Sequence, residues 1–304
     1  MKKLFMVLAA TVICGACLLT SCKKDEKTGI AMIAKYGQID YWRQIESAFR
    51  TACQEKGLEA YYYATSAEIA YQEQFAAVEE LKQSNKKLKG IIFTPSYGPN
   101  GESAEAEVAA LAQERGIPVV ILDSPVDANS PLASRPYIGT DNTAAGLELA
   151  EKVSADVMAT FALTNSPGVE RAEAFKTVKP NAVVFGVGDE AVNEVQAVIN
   201  DYDDFVFFNG NPLVSALDML KSAGKNIYTF DVYGEFLDEL IAGNEQFKGI
   251  MAQNTFGMAR KAVDAIVTNA TQGEIVPTFY ITKDNLNDPN VQPFLEFYGR
   301  TVGR

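Results

Sequence analysis

From Ile30 onward, short runs of consecutive apolar residues alternate with longer stretches in which apolar residues recur every three or four positions. The runs IAMIA (30–34), LEAYYYA (58–64), GIIFTPS (90–96), IPVVILDS (117–124) and RPYIGT (135–140) predict five strands. Between and after them the periodicity predicts helices over about 41–56, 67–84, 103–115 and 143–154, with Gly57 and Gly116 as stops. The rhythm then restarts. VMATFAL (157–163), NAVVFGV (181–187), DFVFFN (204–209) and NIYTFDV (226–232) predict strands, parted by helices around 170–178, 190–200 and 212–223. A last helix over 257–271 precedes PTFYITK. Strands without in/out alternation must be covered on both faces, which is the demand of a parallel α/β sheet. About 275 residues exceed one comfortable core, so the pattern predicts two similar α/β lobes.

The first residues read differently. In MKKLFMVLAATVICGACLLTSCKKDE two lysines precede an apolar run from Leu4 to about Leu19 that is too short and wrongly flanked for a spanning helix, the pattern of a bacterial export signal. Leu19-Thr20-Ser21-Cys22 resembles the lipobox of bacterial lipoproteins. That resemblance implies a signal over 1–21, cleavage before Cys22, acyl chains on Cys22 and a charged tether over 22–29. Such an anchor would hold the protein to a membrane facing the periplasm or the cell surface.

Composition then narrows the chemistry. Cys14 and Cys17 leave with the signal and Cys22 carries lipid, so Cys53 is the one remaining thiol and no disulfide forms within a mature chain. Cys53 shares a helical stripe with Trp42, Ile45 and Phe49, where a cysteine behaves as a small buried apolar group. Removing Lys2 and Lys3 from 27 basic residues leaves 25 against 39 acidic, a net charge of −14, which disfavours a nucleic-acid partner. The chain has no histidine, the commonest general base at neutral pH and the commonest transition-metal ligand. No metal or cofactor is expected.

In open parallel sheets, ligands sit where the strands end, because helix N-termini and loop backbones converge there. The exits carry Tyr41 and Trp42, then Thr94, Ser96 and Tyr97, then Asp123 and Ser124, then Asp141 and Asn142. The second set supplies Asn165 to Arg171, Gly188-Asp189-Glu190, Asn209-Gly210-Asn211 and Asp231. Flat rings cover the apolar face of a sugar, carboxylates and amides meet pairs of hydroxyls, and arginine offers several fixed donors. Each Asp or Asn, taken singly, is more often a helix or turn cap, and it is their convergence that points to a ligand. VVFGVGDEA (183–191) is close to a dinucleotide fingerprint, but it falls around the eighth strand, and the next strand ends in Asn209 where that fold needs an acid. Gly186 and Gly188 are expected to make a tight turn at the cleft, with Asp189 and Glu190 at a helix start.

The stretch IAMIAKYGQIDYWRQIESAFRTACQEKGLEA resembles the opening of the periplasmic sugar-binding proteins of the ribose and galactose type, relatives of the ligand-binding domains of LacI-type repressors. The likeness continues through GIPVVILDS, YIGTDNTAAGLELAE, ERAEAF, FVFFNGNPLVSALDMLKSAGKNIYTFDV and GIMAQNTFGMARKAVDAI. It implies two Rossmann-like lobes, 28–139 plus 254–278 and 140–253 plus 279–304, joined by a three-crossing hinge near Thr140, Gln253 and Thr278. It further implies ligand contacts from Tyr41, Trp42, Asp123, Arg171, Asn209, Asp231 and Gln253, and a monomer that binds one monosaccharide or similar polyol without making or breaking a bond. The partner would be a membrane permease of the ABC type, or a sensor. Three departures leave a nucleoside or another small polar ligand open. Asp123-Ser124 stands where many relatives have Asp-Arg, Asn209-Gly210 where Asn-Asp is usual, and residues 172–204 look about ten residues short. Enzymes, either nicotinamide-dependent or hydrolysing sugars through paired carboxylates, fit less well. A repressor would need a DNA-binding segment where the signal and tether lie.

Overall fold

The computed structural model describes residues 27–164 and 167–302. The signal, Cys22 and most of the tether lie outside the described residues.

Continuous apolar runs become strands, the inner ones of each sheet buried from both sides and the edge ones partly exposed. β1 (Gly29–Ala34), β2 (Glu59–Ala64), β3 (Leu88–Phe93), β4 (Val119–Leu122), β5 (Tyr137–Gly139) and β11 (Glu274–Ile275) form one sheet in the order β11-β5-β4-β3-β1-β2, parallel at every pairing. β6 (Met158–Leu163), β7 (Ala182–Val187), β8 (Asp204–Phe207), β9 (Asn226–Phe230), β10 (Phe247–Ala252) and β12 (Phe279–Ile281) form the second, in the matching order β12-β10-β9-β8-β6-β7. Only β12 runs antiparallel there. Position for position, β4 of the first sheet therefore corresponds to β9 of the second.

The helices are α1 (Asp40–Glu55), α2 (Tyr71–Gln83), α3 (Glu105–Arg115), α4 (Asn142–Lys152), α5 (Pro167–Val178), α6 (Val192–Val198), α7 (Gly210–Ser222), α8 (Gly234–Ile241), α9 (Thr255–Thr268) and α10 (Gln292–Phe297). α1 and α9 cover one face of the first sheet, α2 and α3 the other. In the second lobe α4 and α5 cover one face and α6, α7, α8 and α10 the other. The chain passes from the first sheet to the second after β5, returns between β10 and β11, and crosses again between β11 and β12.

Two elements, α8 and β10, lie in the unassigned stretch between Asp231 and Gln253. Phe236, Leu237 and Leu240 give α8 its buried face, and β10 is a short apolar run interrupted by Gly249. α2 starts at Tyr71 rather than near Ala67 because Thr65 Oγ1 donates to the carbonyls of Lys35 and Ala67, which holds 65–70 as a loop against the end of β1. α6 has seven residues where its counterpart α2 has thirteen.

One glycine sets how closely α4 and α5 approach. A Cβ on Gly146 would lie 2.3 Å from the carbonyl oxygen of Arg171. Gly146→Ala is therefore expected to push α5 outward and destabilise the fold by about 1–3 kcal/mol, read from the urea midpoint. Cys53 is fully buried among the α1 and α9 side chains, and burial pushes its thiol up to about 12 against the opposing pull of Arg50. A thiol reagent is expected to label it only after unfolding.

Candidate functional site

Tyr41, Trp42, Asp123, Arg171, Asn209, Asp231 and Gln253 all line one cleft between the two sheets, with about 490 Å³ of empty space counting its open mouth, of which only a small part is enclosed.

The two carboxylates come from equivalent places. Asp123 follows β4 and Asp231 follows β9, and both have left-handed backbone, with φ of 66° and 63°. Aspartate tolerates that conformation better than most side chains, and strained backbone tends to gather at ligand clamps. Tyr41 donates its phenol proton to Asp123 Oδ1, Ser124 Oγ donates to Oδ2 at 2.8 Å, and Tyr137 donates to the Asp123 carbonyl at 2.6 Å. Burial first, and the Asp123 charge second, hold Tyr41 well above the usual phenol range, so it stays a donor.

Across the cleft, Gln253 Nε2 donates to Asp231 Oδ1 at 2.7 Å and the Gly210 N–H donates to Oδ2 at 3.2 Å. Gln253 Oε1 accepts from Thr140 Oγ1 at 2.9 Å, which ties two of the three crossings together. Gly210 has a packing reason: a Cβ there would meet the Tyr233 ring at 2.5 Å.

Arg171 is 2% exposed. Its Nε donates to Asn142 Oδ1 and its Nη1 to the Phe208 carbonyl, each at 2.9 Å, and its guanidinium lies 4.6 Å from the centre of the Phe230 ring. Among the described residues it has no carboxylate within 4 Å. A buried cation and a buried anion, Arg171 and Asp231, thus face one cleft without pairing, which favours a ligand bearing both donors and acceptors.

Burial raises the Asp231 carboxyl above its ordinary value of 3.8, outweighing Arg171, Gln253 and Gly210, which pull it down. The folded state then holds the proton more tightly than the unfolded one, so this group's contribution to stability is full below 3.8 and is lost as pH rises through the folded value. Relative to wild type, Asp231→Asn is expected to gain stability as pH rises from below 3.8 towards neutrality. Urea midpoints of both proteins across that range measure it; a relative loss would show that the carboxylate is paid back in full.

Trp42 is 2% exposed and meets Tyr41 edge-on, with ring centres 5.3 Å apart. It shows the cleft an edge of a side chain that belongs mainly to the core. Asn209 Oδ1 accepts from the Leu163 N–H at 3.1 Å, so it also joins β6 to β8. Asp141 caps α4, accepting from the Ala144 N–H, and lies outside the cleft; Asn142 holds Arg171.

Lys35 and Glu68 line the cleft and were not singled out from the sequence. Lys35 Nζ lies 2.9 Å from Glu68, donates to Ser124 Oγ at 2.9 Å and is 3.9 Å from Asp123. It supplies first-lobe positive charge beside Asp123, the kind of donor that Ser124 lacks. Lys35 directly follows β1, so the exit rule reaches it; Glu68 was hidden by placing the start of α2 too early. Asp189 also lines the cleft, accepting from Asn211 Nδ2 at 2.8 Å.

The dinucleotide-like stretch is β7, the seventh strand, at the edge of its sheet and not in the middle of the lobe. Neither Gly186 nor Gly188 has positive φ, so no left-handed turn requires them. Gly186 has a different cause, since a Cβ would lie 2.7 Å from Thr164 Cγ2. Among the described residues no cluster of His, Cys, Asp and Glu could hold a metal ion, and no helix is long and apolar enough to cross a membrane.

Residues 30–274 match the family model of the periplasmic binding protein domain. The chain belongs to this family. Its two lobes of mostly parallel sheets with flanking helices are those of type I periplasmic binding proteins, and the family binds solutes rather than transforming them. No curated protein matches the chain. Among solved structures, a carbohydrate transporter solute-binding protein from Agrobacterium radiobacter in complex with D-arabinose is 18% identical, with 88% of this chain and 98% of that one covered and a TM-score of 0.71. An ABC transporter solute-binding protein from Agrobacterium vitis with bound D-fucose is 21% identical, with 87% and 99% covered and a TM-score of 0.71. A glucose-galactose binding protein from Geobacillus stearothermophilus is 19% identical, with 86% and 99% covered and a TM-score of 0.64. At these identities the likeness is one of fold.

Proposed function

We propose that this binding protein captures a monosaccharide or similar polyol between its lobes and presents it to a membrane permease of the ABC type, or to a sensor. It does so as a monomer anchored through acylated Cys22. The lobes are taken as 28–139 plus 254–278 and 140–253 plus 279–304, with hinge crossings near Thr140, Gln253 and Thr278.

The observation that carries this reading is the arrangement of opposite partners on opposite walls. Asp123, Tyr41 and Lys35 come from the first lobe, Arg171 and Asp231 from the second, and Gln253 from the crossing between them. A polyhydroxylated ligand would touch both walls at once and so stabilise the closed state over the open one. The sugars named for the three structural neighbours fit the same class.

A thermal-shift screen of sugars, nucleosides and nicotinamide cofactors tests it. A ligand at about a hundred times its Kd adds about 2.7 kcal/mol of stability, which for a chain of this size is a shift of about 5–10 °C. One sugar class is expected to give it. Stabilisation by nucleosides alone would move the ligand to that class, and reduction or oxidation of a nicotinamide cofactor would replace binding by catalysis.

A further inference from the structure

The cleft does not end at the inner residues. Beyond Lys35 it opens into an outer chamber that shares Lys35 and Pro167 with it and counts about 830 Å³ by the same measure that gives the inner space 490 Å³. Pro95, Tyr97, Ser124 and Pro125 from the first lobe and Val169 and Glu170 from the second line this chamber. Its two walls therefore close together with those of the inner site.

We propose that the ligand is a neutral disaccharide or glycoside, with one sugar unit held by Arg171, Asp231 and Asp123 and the next seated in the outer chamber against Tyr97 and Val169. This deepens the sugar-binding reading, with the monosaccharide of that reading as the inner unit of a longer ligand, and rests on it.

Three observations carry the extension. Tyr97 and Val169 are 38% and 36% exposed and give the chamber an apolar surface from each lobe. The Tyr97 hydroxyl donates to Glu105 at 2.7 Å, which fixes the ring while leaving surface for the C–H face of a second sugar. Ser124, a short residue, stands at the boundary and holds Lys35 and Asp123 together through its hydroxyl. A short side chain at this position leaves the passage outward open. The rim is acidic: Glu170 and Glu173 line the chamber, and Lys35 already has Glu68 and Ser124 as partners. That rim accepts hydroxyl protons and repels a phosphate or carboxylate, so the outer unit is neutral.

The test is calorimetric titration of the full chain with D-galactose against lactose and melibiose, D-glucose against cellobiose and maltose, and D-xylose against xylobiose. One disaccharide is expected to bind on the order of tenfold more tightly than its own monosaccharide. Tyr97→Ala and Val169→Arg, both at exposed positions outside the inner site, are expected to erase that advantage while monosaccharide affinity stays within about threefold. Monosaccharides binding as tightly as every disaccharide would overturn the extension and leave the sugar-binding reading standing. So would a disaccharide advantage that survives both substitutions. Failure of every sugar, short or long, to bind the wild-type chain would overturn both readings together.

Discussion

Arg171→Met is expected to weaken ligand binding by about 10- to 150-fold, read by calorimetry against the sugar that stabilises the wild-type chain. The guanidinium is pre-oriented by Asn142 and the Phe208 carbonyl and is almost wholly removed from water. A charge-assisted hydrogen bond in such a setting contributes about 1.5–3 kcal/mol, and Asp231 would lose the nearby cation that offsets part of its burial. Methionine keeps most of the apolar stem on Phe230, so the fold is expected to survive. Unaltered affinity in a folded Arg171→Met protein would remove Arg171 from the site.

Trp42→Ala is expected to cost about 3–5 kcal/mol of stability, because a large core side chain leaves a cavity that the surroundings fill only in part. The ring packs with Ile45, Phe49 and the α9 side chains Met258 and Ala259 in one cluster, so its loss loosens α1, the helix that also carries Tyr41. Binding and stability should fall together. Trp42→Phe separates the two: about half of the stability loss or less is expected, while any affinity loss reports the cleft-facing edge. A Trp42→Ala protein with a wild-type urea midpoint would contradict the burial.

These expectations show where the sequence was legible. Continuous apolar runs such as IAMIA and DFVFFN disclose strands covered on both faces, and the rule that ligands gather at strand exits leads to Asp123 and Asp231 before any coordinates are known. It could not show that both have left-handed backbone at equivalent exits, because that symmetry belongs to the two sheet orders. Trp42 was harder. Its neighbour Tyr41 marks a cleft, yet an aromatic at a helix start is a ligand contact or a core residue according to how the helix rolls, and here it is mostly core. α8 is not legible in the sequence because its apolar residues fall in a short span, 236–240, too brief for periodicity to distinguish from a loop. Lys35 and Glu68 form their contact across two strand exits, a relation that pattern along one segment does not contain. The capping alternative won at Asp141 and lost at Asp123, while Asp231 does both, lining the cleft and accepting from the Gly210 N–H at the start of α7.

Binding by closure requires a sugar held between walls supplied by both lobes. A crystal structure of the protein grown with the sugar that stabilises it most tests this directly. Density is expected for one sugar unit within hydrogen-bonding distance of Arg171 and Asp231 on one side and Asp123 on the other. Sugar density confined to one lobe's surface, with the cleft between Asp123 and Asp231 filled only by water, would contradict it.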